Sequence, residues 1–316
     1  MTTKPRALRP GDRLGLAAPS GSLKDPAQAD RAAEALRRLG FEVEIGEGCR
    51  HAYGYLAGSD ERRAADLNAF FADDAIAGIV CLKGGYGTPR ILDAIDYGLA
   101  ARRPKVFVGY SDITAIHLAL HRRSGLATFH GPMGVSDVLL EGEEYSTRSW
   151  LDALTRAEPL GCVENPPGAP GLKALVPGKA RGELLGGNLS LVAGTIGTPY
   201  AIDARGKILF LEDIGERPYR IDRMLTQLRL AGVFDDCAGV VLGDWNDCGP
   251  EEGKASLELE AIFRDVIAPA GKPTVFGLKA GHCNPTATLP FGVRAELDAD
   301  EPGLAFTESA LSGWID

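Results

Sequence analysis

Ser111 is the residue around which chemistry can be built. The run Lys105-Val106-Phe107-Val108-Gly109-Tyr110-Ser111-Asp112-Ile113-Thr114 opens with apolar, β-branched residues that read as a buried parallel strand. Helical spacing follows from Asp112. A serine on such a turn exposes its hydroxyl at the mouth of the sheet, beside the N–H groups of the helix's first turn. Gly109 gives the turn room, but Ile113 replaces the second glycine of the G-x-S-x-G nucleophile elbow. The plain alternative is that Ser111 is an N-cap, a position serine favours anyway.

A nucleophilic hydroxyl needs a base, and the base needs an orienting group. The chain has five histidines: His51, His117, His121, His130 and His282. His117 lies six residues after Ser111 on the same helix and points away from it. His121 is a further turn on and reads as solvated. His130, in Phe129-His130-Gly131-Pro132, and His282, in Gly281-His282-Cys283-Asn284-Pro285, both follow strand ends and are rivals for the base. The acid candidate is Glu212, which ends the apolar strand Phe210-Leu211-Glu212-Asp213, where a carboxylate needs a partner to offset its desolvation. Asp213 alternates to the other face. Glu216 lies in the loop beyond and suits the dipole of the next helix.

Positioning these groups falls to alternating strands and helices. The spacing predicts strands over 12–18, 41–45 and 75–82, and helices over 26–39, 60–71 and 89–99. That alternation argues a parallel sheet covered on both faces, with ligands beyond the carboxyl ends of its strands. The Ser20, Gly84–Gly87 and Ser111 loops fall at that edge. A helix near 145–156 closes this unit, and the proline- and glycine-rich stretch after it reads as a linker. Beyond it, strands over 207–213, 238–242 and 274–278, helices near 218–231 and 258–268, and short β segments over 287–306 make a mixed α+β unit. The expected organisation is therefore α/β, with an N-terminal α/β domain over 1–157, a linker over 158–180 and a C-terminal domain over 181–316.

Composition narrows the function. The 316 residues are 45% hydrophobic and 24% charged, ordinary for a globular protein. A net charge of −9, with no basic stripe, argues against nucleic acid as the partner. Six cysteines without a C-x-x-C pair read as reduced thiols of a cytoplasmic protein. No signal-peptide h-region and no run of about 18 apolar residues is found, so no membrane is expected. Asp244, Asp247 and His282 lack the density of a metal site, and no metal is expected. Ser20 and Lys24 miss the S-x-x-K spacing, and Gly84-Gly85-Tyr86-Gly87 lacks the Lys-Ser/Thr of a P-loop.

Several stretches together resemble the serine LD-carboxypeptidase family, the muramoyl-tetrapeptide carboxypeptidases. They are Pro10-Gly11-Asp12 with Ala18-Pro19-Ser20-Gly21; Leu56-Ala57-Gly58-Ser59-Asp60 with Arg63 and Asp66-Leu67-Asn68; Gly84-Gly85-Tyr86-Gly87; Gly109-Tyr110-Ser111-Asp112-Ile113-Thr114; His130-Gly131-Pro132; Gly186-Gly187-Asn188-Leu189; Leu211-Glu212-Asp213 with Pro218-Tyr219-Arg220-Ile221-Asp222-Arg223; and Gly281-His282. Lys83 stands where the family more often has arginine, which keeps the charge but not the planar fork.

The resemblance implies a catalytic Ser111, Glu212 and His282, and an N-terminal parallel α/β domain beside a C-terminal domain with a small β-barrel. It implies removal of the terminal D-alanine from murein tetrapeptide in the cytoplasm, without cofactor, by a homodimer. On that reading the oxyanion donors are the N–H groups of Asp112 and Gly85, the glycine letting its amide approach and point inward. Arg220 or Arg223 would pair with a substrate carboxylate. One rival keeps the scaffold and changes the substrate: the microcin-C immunity peptidases cleave a peptide-nucleotide amide and need aromatics to stack a base. A second rival is a non-catalytic ligand-binding protein, against which the presence of all three candidate residues counts.

Overall fold

The computed structural model describes residues 2–313. Its first half is a run of strand–helix units. The strands are β1 (Arg13–Ala17), β2 (Glu42–Ile45), β3 (Ile76–Cys81), β4 (Val106–Gly109) and β5 (Thr128–His130). The helices Ala27–Arg38, Asp60–Ala72 and Thr114–Ser124 connect them. Local signals set the boundaries. Ser59 caps the second helix by accepting from the Arg62 N–H, and Gly125, in the left-handed region, ends the third. The single helix expected over 89–99 is instead a 3-10 segment, Thr88–Ala94, and a helix, Tyr97–Arg102. Asp96 interrupts it, its side chain accepting from the Leu99 N–H to cap the second piece.

The second half supplies β6 (Gly161–Cys162), β7 (Lys173–Val176), β8 (Lys179–Asn188), β9 (Ile208–Ile214), β10 (Gly239–Asn246), β11 (Thr274–Phe276), β12 (Leu289–Phe291), β13 (Arg294–Asp298) and β14 (Gly303–Phe306). Two sheets result. The first has the order β12-β5-β4-β3-β1-β2, with β1 to β5 parallel. β3 and β4 are buried along their whole length, as a sheet covered on both faces requires. β12 returns from the far end of the chain to pair antiparallel with β5, His130 opposite Leu289.

The second sheet has the order β6-β14-β13-β8-β9-β10-β11-β7. β8 serves both of its parts. Residues 179–183 pair antiparallel with β13, and residues 184–188 pair parallel with β9. From there β9, β10 and β11 are parallel, joined through the helices Pro218–Leu230 and Leu259–Val266. A small barrel was the expectation for this half; the sheet found is open, and among the described residues no pairing joins β6 to β7. The stretch 158–180, expected as a linker, contributes the two edge strands.

One apolar cluster runs through both sheets, including Leu16 of β1, Phe129 of β5, Phe210 of β9, Phe291 of β12 and Leu304 of β14. A second cluster, with Phe70, Ile79, Phe107 and Ile116, fills the other face of the first sheet.

Candidate active site

The site is built from loops that leave the carboxyl ends of parallel strands in both sheets, where open α/β sheets bind ligands. Ser111 follows β4 by two residues and opens a 3-10 turn, Ser111–Ile113, that runs into the helix Thr114–Ser124. Its φ is +64°, a left-handed conformation that non-glycine residues adopt at a cost. The surroundings hold it there. His117 donates its Nε2–H to the Gly109 carbonyl at 2.8 Å, fixing the end of the strand. The buried Asp112 carboxylate accepts from the Ser20 hydroxyl at 2.6 Å and from the Thr88 N–H at 2.9 Å.

That carboxylate joins three loops. The sequence pointed only to the backbone N–H of Asp112; its side chain had no signal because Ser20 and Thr88 are distant in sequence. Arg63, fully buried, donates to the carbonyls of Pro19 and Gly87 and to Asp60, and so ties the Ser20 loop to the glycine loop.

The glycine loop packs against the serine. A Cβ at Gly84 would stand 2.9 Å from Ser111 Cβ and 3.0 Å from its Oγ, so no larger residue fits without movement. The Gly21 N–H donates to the Gly84 carbonyl at 3.3 Å. The planarity of the Gly84–Gly85 peptide then turns the Gly85 N–H the opposite way. Gly85 itself has φ +126°.

The second sheet brings an acid and an imidazole together. Glu212, on β9, is fully buried and accepts from His282 Nδ1–H at 2.6 Å and from the His282 backbone N–H at 3.2 Å. The fit depends on Gly281. Its φ is +109°, and a Cβ there would lie 2.5 Å from Glu212 Oε2. Asp213, one residue on, faces the other way and accepts from Asn188 Nδ2, the Ser190 N–H and the Ser190 hydroxyl at 2.7–3.0 Å, at the start of the helix Leu189–Thr195. Glu216 pairs with Arg220 at 3.5 Å.

A cleft of about 390 Å3 has Ser111, Gly84, Gly85, Tyr110 and His282 in its wall. His282 is the one histidine of the five that lines it. Tyr110 packs against His282 with its ring tilted by 56° and centroids 4.8 Å apart, a contact the sequence did not reveal. Burial alone would depress the His282 pKa, but the Glu212 carboxylate outweighs it and the pKa is raised. His130 is buried in the core with both ring nitrogens unpartnered, and desolvation holds its pKa well below the usual histidine value. Desolvation takes His117 down to about 4. Cys283 lines the cleft, yet burial pushes its thiol up to about 12, so it is not a thiolate at neutral pH.

Arg220 and Arg223 are not brought to the cleft. Arg220 contacts Glu216 and the Tyr219 hydroxyl, and Arg223 lies over the Tyr219 ring. Among the described residues no group of three or more His, Cys, Asp or Glu is placed to hold a metal ion, and no helix is long and apolar enough to cross a membrane.

An α/β framework that sets a strained serine, an imidazole and a buried carboxylate around one cleft has the layout of a serine hydrolase. Comparison with known proteins narrows that class. A model for the LD-carboxypeptidase N-terminal domain matches residues 14–131, and one for the C-terminal domain matches residues 181–297. The chain belongs to the LD-carboxypeptidase family and is a serine-type carboxypeptidase, a hydrolase. It is 45% identical over 298 residues to the "Probable murein peptide carboxypeptidase" of Bacillus subtilis, covering 94% of this chain and 92% of that protein.

Solved structures agree on the fold. The microcin C7 self-immunity protein MccF, in its inactive mutant apo state, matches with a TM-score of 0.88 at 26% identity, over 98% of this chain and all of that one. Muramoyltetrapeptide carboxypeptidase from Oxalobacter formigenes matches with a TM-score of 0.80 at 30% identity, over 93% and 97% of the two chains.

Proposed function

We propose that this chain releases the terminal D-alanine from murein tetrapeptide, with Ser111 as nucleophile, His282 as base and Glu212 as the group that orients it. The observation that carries the reading is the buried Glu212–His282 pair set on the same cleft as Ser111. Glu212 accepts a hydrogen bond from His282 Nδ1–H and so holds the tautomer in which Nε2 is unprotonated, able to accept the Ser111 hydroxyl proton as the oxygen attacks the scissile carbonyl. The same imidazolium then protonates the departing amine of D-alanine, and water repeats the cycle on the acyl-enzyme. The N–H groups of Asp112 and Gly85 stabilise the oxyanion. Support for Gly85 is the direction of its amide, set by the Gly84 carbonyl's bond to Gly21. The reading carries with it a cytoplasmic recycling role and a homodimeric working unit, checked by cell fractionation and analytical sedimentation.

A peptide-nucleotide substrate is the second reading, favoured by the likeness to MccF. The aromatics of residues 134–180 speak against it. Trp150 is fully buried with its Nε1–H on the Pro132 carbonyl, and the Tyr145 hydroxyl is tied to the Glu164 carbonyl. The Trp150 ring has no free face, and Tyr145 lines a pocket other than the one that holds Ser111, so neither is placed to stack a base beside the nucleophile. The deciding experiment incubates the protein with murein tetrapeptide and with its all-L analogue and measures released alanine. We expect D-alanine from the first alone, and none with Ser111→Ala. Equal release from the all-L peptide would sink the stereochemical assignment.

A further inference from the structure

A carboxypeptidase substrate carries a free carboxylate one residue beyond the bond that breaks. Consecutive Cα atoms are about 3.8 Å apart, so that charge enters the cleft close to the nucleophile. A buried or half-buried carboxylate needs a matching donor, above all a cation. The lining of the cleft offers few charged groups: Lys83, Asp137 and His282. Asp137 repels a carboxylate. His282 already faces Glu212 with Nδ1 and its backbone N–H, and its remaining nitrogen is needed for proton transfer. The two arginines expected from the sequence lie elsewhere.

Lys83 has the right surroundings. It is half-buried, and its ammonium donates to one neutral acceptor, the Ser22 carbonyl, at 3.2 Å. No carboxylate among the described residues pairs with it, although an ammonium has three donors to place. Its neighbour in the chain is Gly84, the residue packed on the Ser111 side chain. A cation half withdrawn from water, without a counter-ion and one residue from the contact with the nucleophile, gains from an anionic ligand.

On the function proposed above, we infer that Lys83 is the docking cation for the substrate's terminal carboxylate. It sets the register of the peptide so that the last peptide bond, and no internal one, meets Ser111. The ammonium binds substrate and transition state alike, so its loss appears mainly in KM.

The test compares two peptides, one ending in D-alanine and one ending in D-alanine amide, with wild type, Lys83→Met, Lys83→Gln and Lys83→Arg. Wild type is expected to prefer the free acid. Lys83→Met and Lys83→Gln should lower kcat/KM on the acid by about 10- to 100-fold, the size of a charge-assisted hydrogen bond, while leaving the amide unchanged. Lys83→Arg should keep most of the preference. If both neutral variants, folded by thermal melting, retain the wild-type ratio of acid to amide, the docking role is overturned and the carboxypeptidase reading stands. If wild type releases no D-alanine species from either peptide, both fall together.

Discussion

His282 and His130 touch the same ring. Tyr110 lies 4.8 Å from the first and 6.0 Å from the second, measured between ring centroids, yet the two imidazoles occupy opposite environments. His282 belongs to the cleft wall, holds a carboxylate and has a raised pKa. His130 belongs to the packed floor, between Phe210 and Phe291, with no partner and a depressed pKa. The lesson is that a partnered carboxylate, more than depth, decides the chemistry of an imidazole here. His282 is itself only 11% exposed in its side chain.

The strongest test of that contrast removes the imidazole from the cleft. His282→Gln should lower kcat by about 10,000- to 1,000,000-fold, the scale seen when the base of a triad is removed. A loss under tenfold would transfer the role of base elsewhere.

Glu212→Gln comes next. It keeps the shape, removes the charge and should cost about 100- to 10,000-fold in kcat. Its signature is in pH. A base must be neutral to accept a proton, so wild-type kcat/KM should rise through an inflection above pH 6.5, the usual histidine value. With the carboxylate gone and burial unchanged, the inflection should move down. The stability linkage has the matching sign: His282 stabilises the fold below its unfolded pKa, and that contribution is lost as pH rises through the raised folded value. An unmoved inflection would break the link between Glu212 and His282.

Much of this was readable from the chain, for identifiable reasons. Strand–helix alternation is a local period, and it placed β1, β3, β4, β9 and β10 to within a few residues. Ser111 stood out because a strand-to-helix junction is also local. His130 and His282 were inseparable, since both follow strand ends. What separates them is β12, a three-residue strand from the far end of the chain that pairs with His130 and lays Phe291 against it. No local pattern announces a pairing that distant. The barrel expectation gave way to an open sheet for a similar reason: β8 changes partners midway, antiparallel to β13 and then parallel to β9. Arg220 and Arg223 fell away because a helix's sequence does not say which face meets a cleft on another element.

Gly281→Ala probes the same pair with a smaller expected effect. The backbone at φ +109° disfavours any side chain, and the new methyl would press on Glu212. We expect a loss of about 1–3 kcal/mol in urea unfolding from the strained conformation. Activity should fall about tenfold or more as the carboxylate is displaced, since small misplacements in a site carry large costs. A variant with wild-type kcat and a wild-type pH profile would show that the Glu212–His282 contact tolerates displacement.

The mildest change tests the floor. His130→Leu removes two buried nitrogens that have no partner and leaves an apolar side chain among aromatic rings. Replacing unsatisfied polar atoms by apolar ones is close to neutral, so stability at pH 7.5 should stay within about 1 kcal/mol of wild type and kcat/KM within about threefold. Acid should separate the two proteins. A histidine with a depressed folded pKa takes up a proton on unfolding, so wild type loses stability as pH falls below about 6.5, the unfolded value. His117, near 4, contributes in the same direction and remains in the variant. Urea unfolding at pH 5 should therefore find His130→Leu more stable than wild type. Equal loss in both proteins would mean that His130 does not titrate on unfolding, and a large loss of activity at pH 7.5 would move it from the floor into the site.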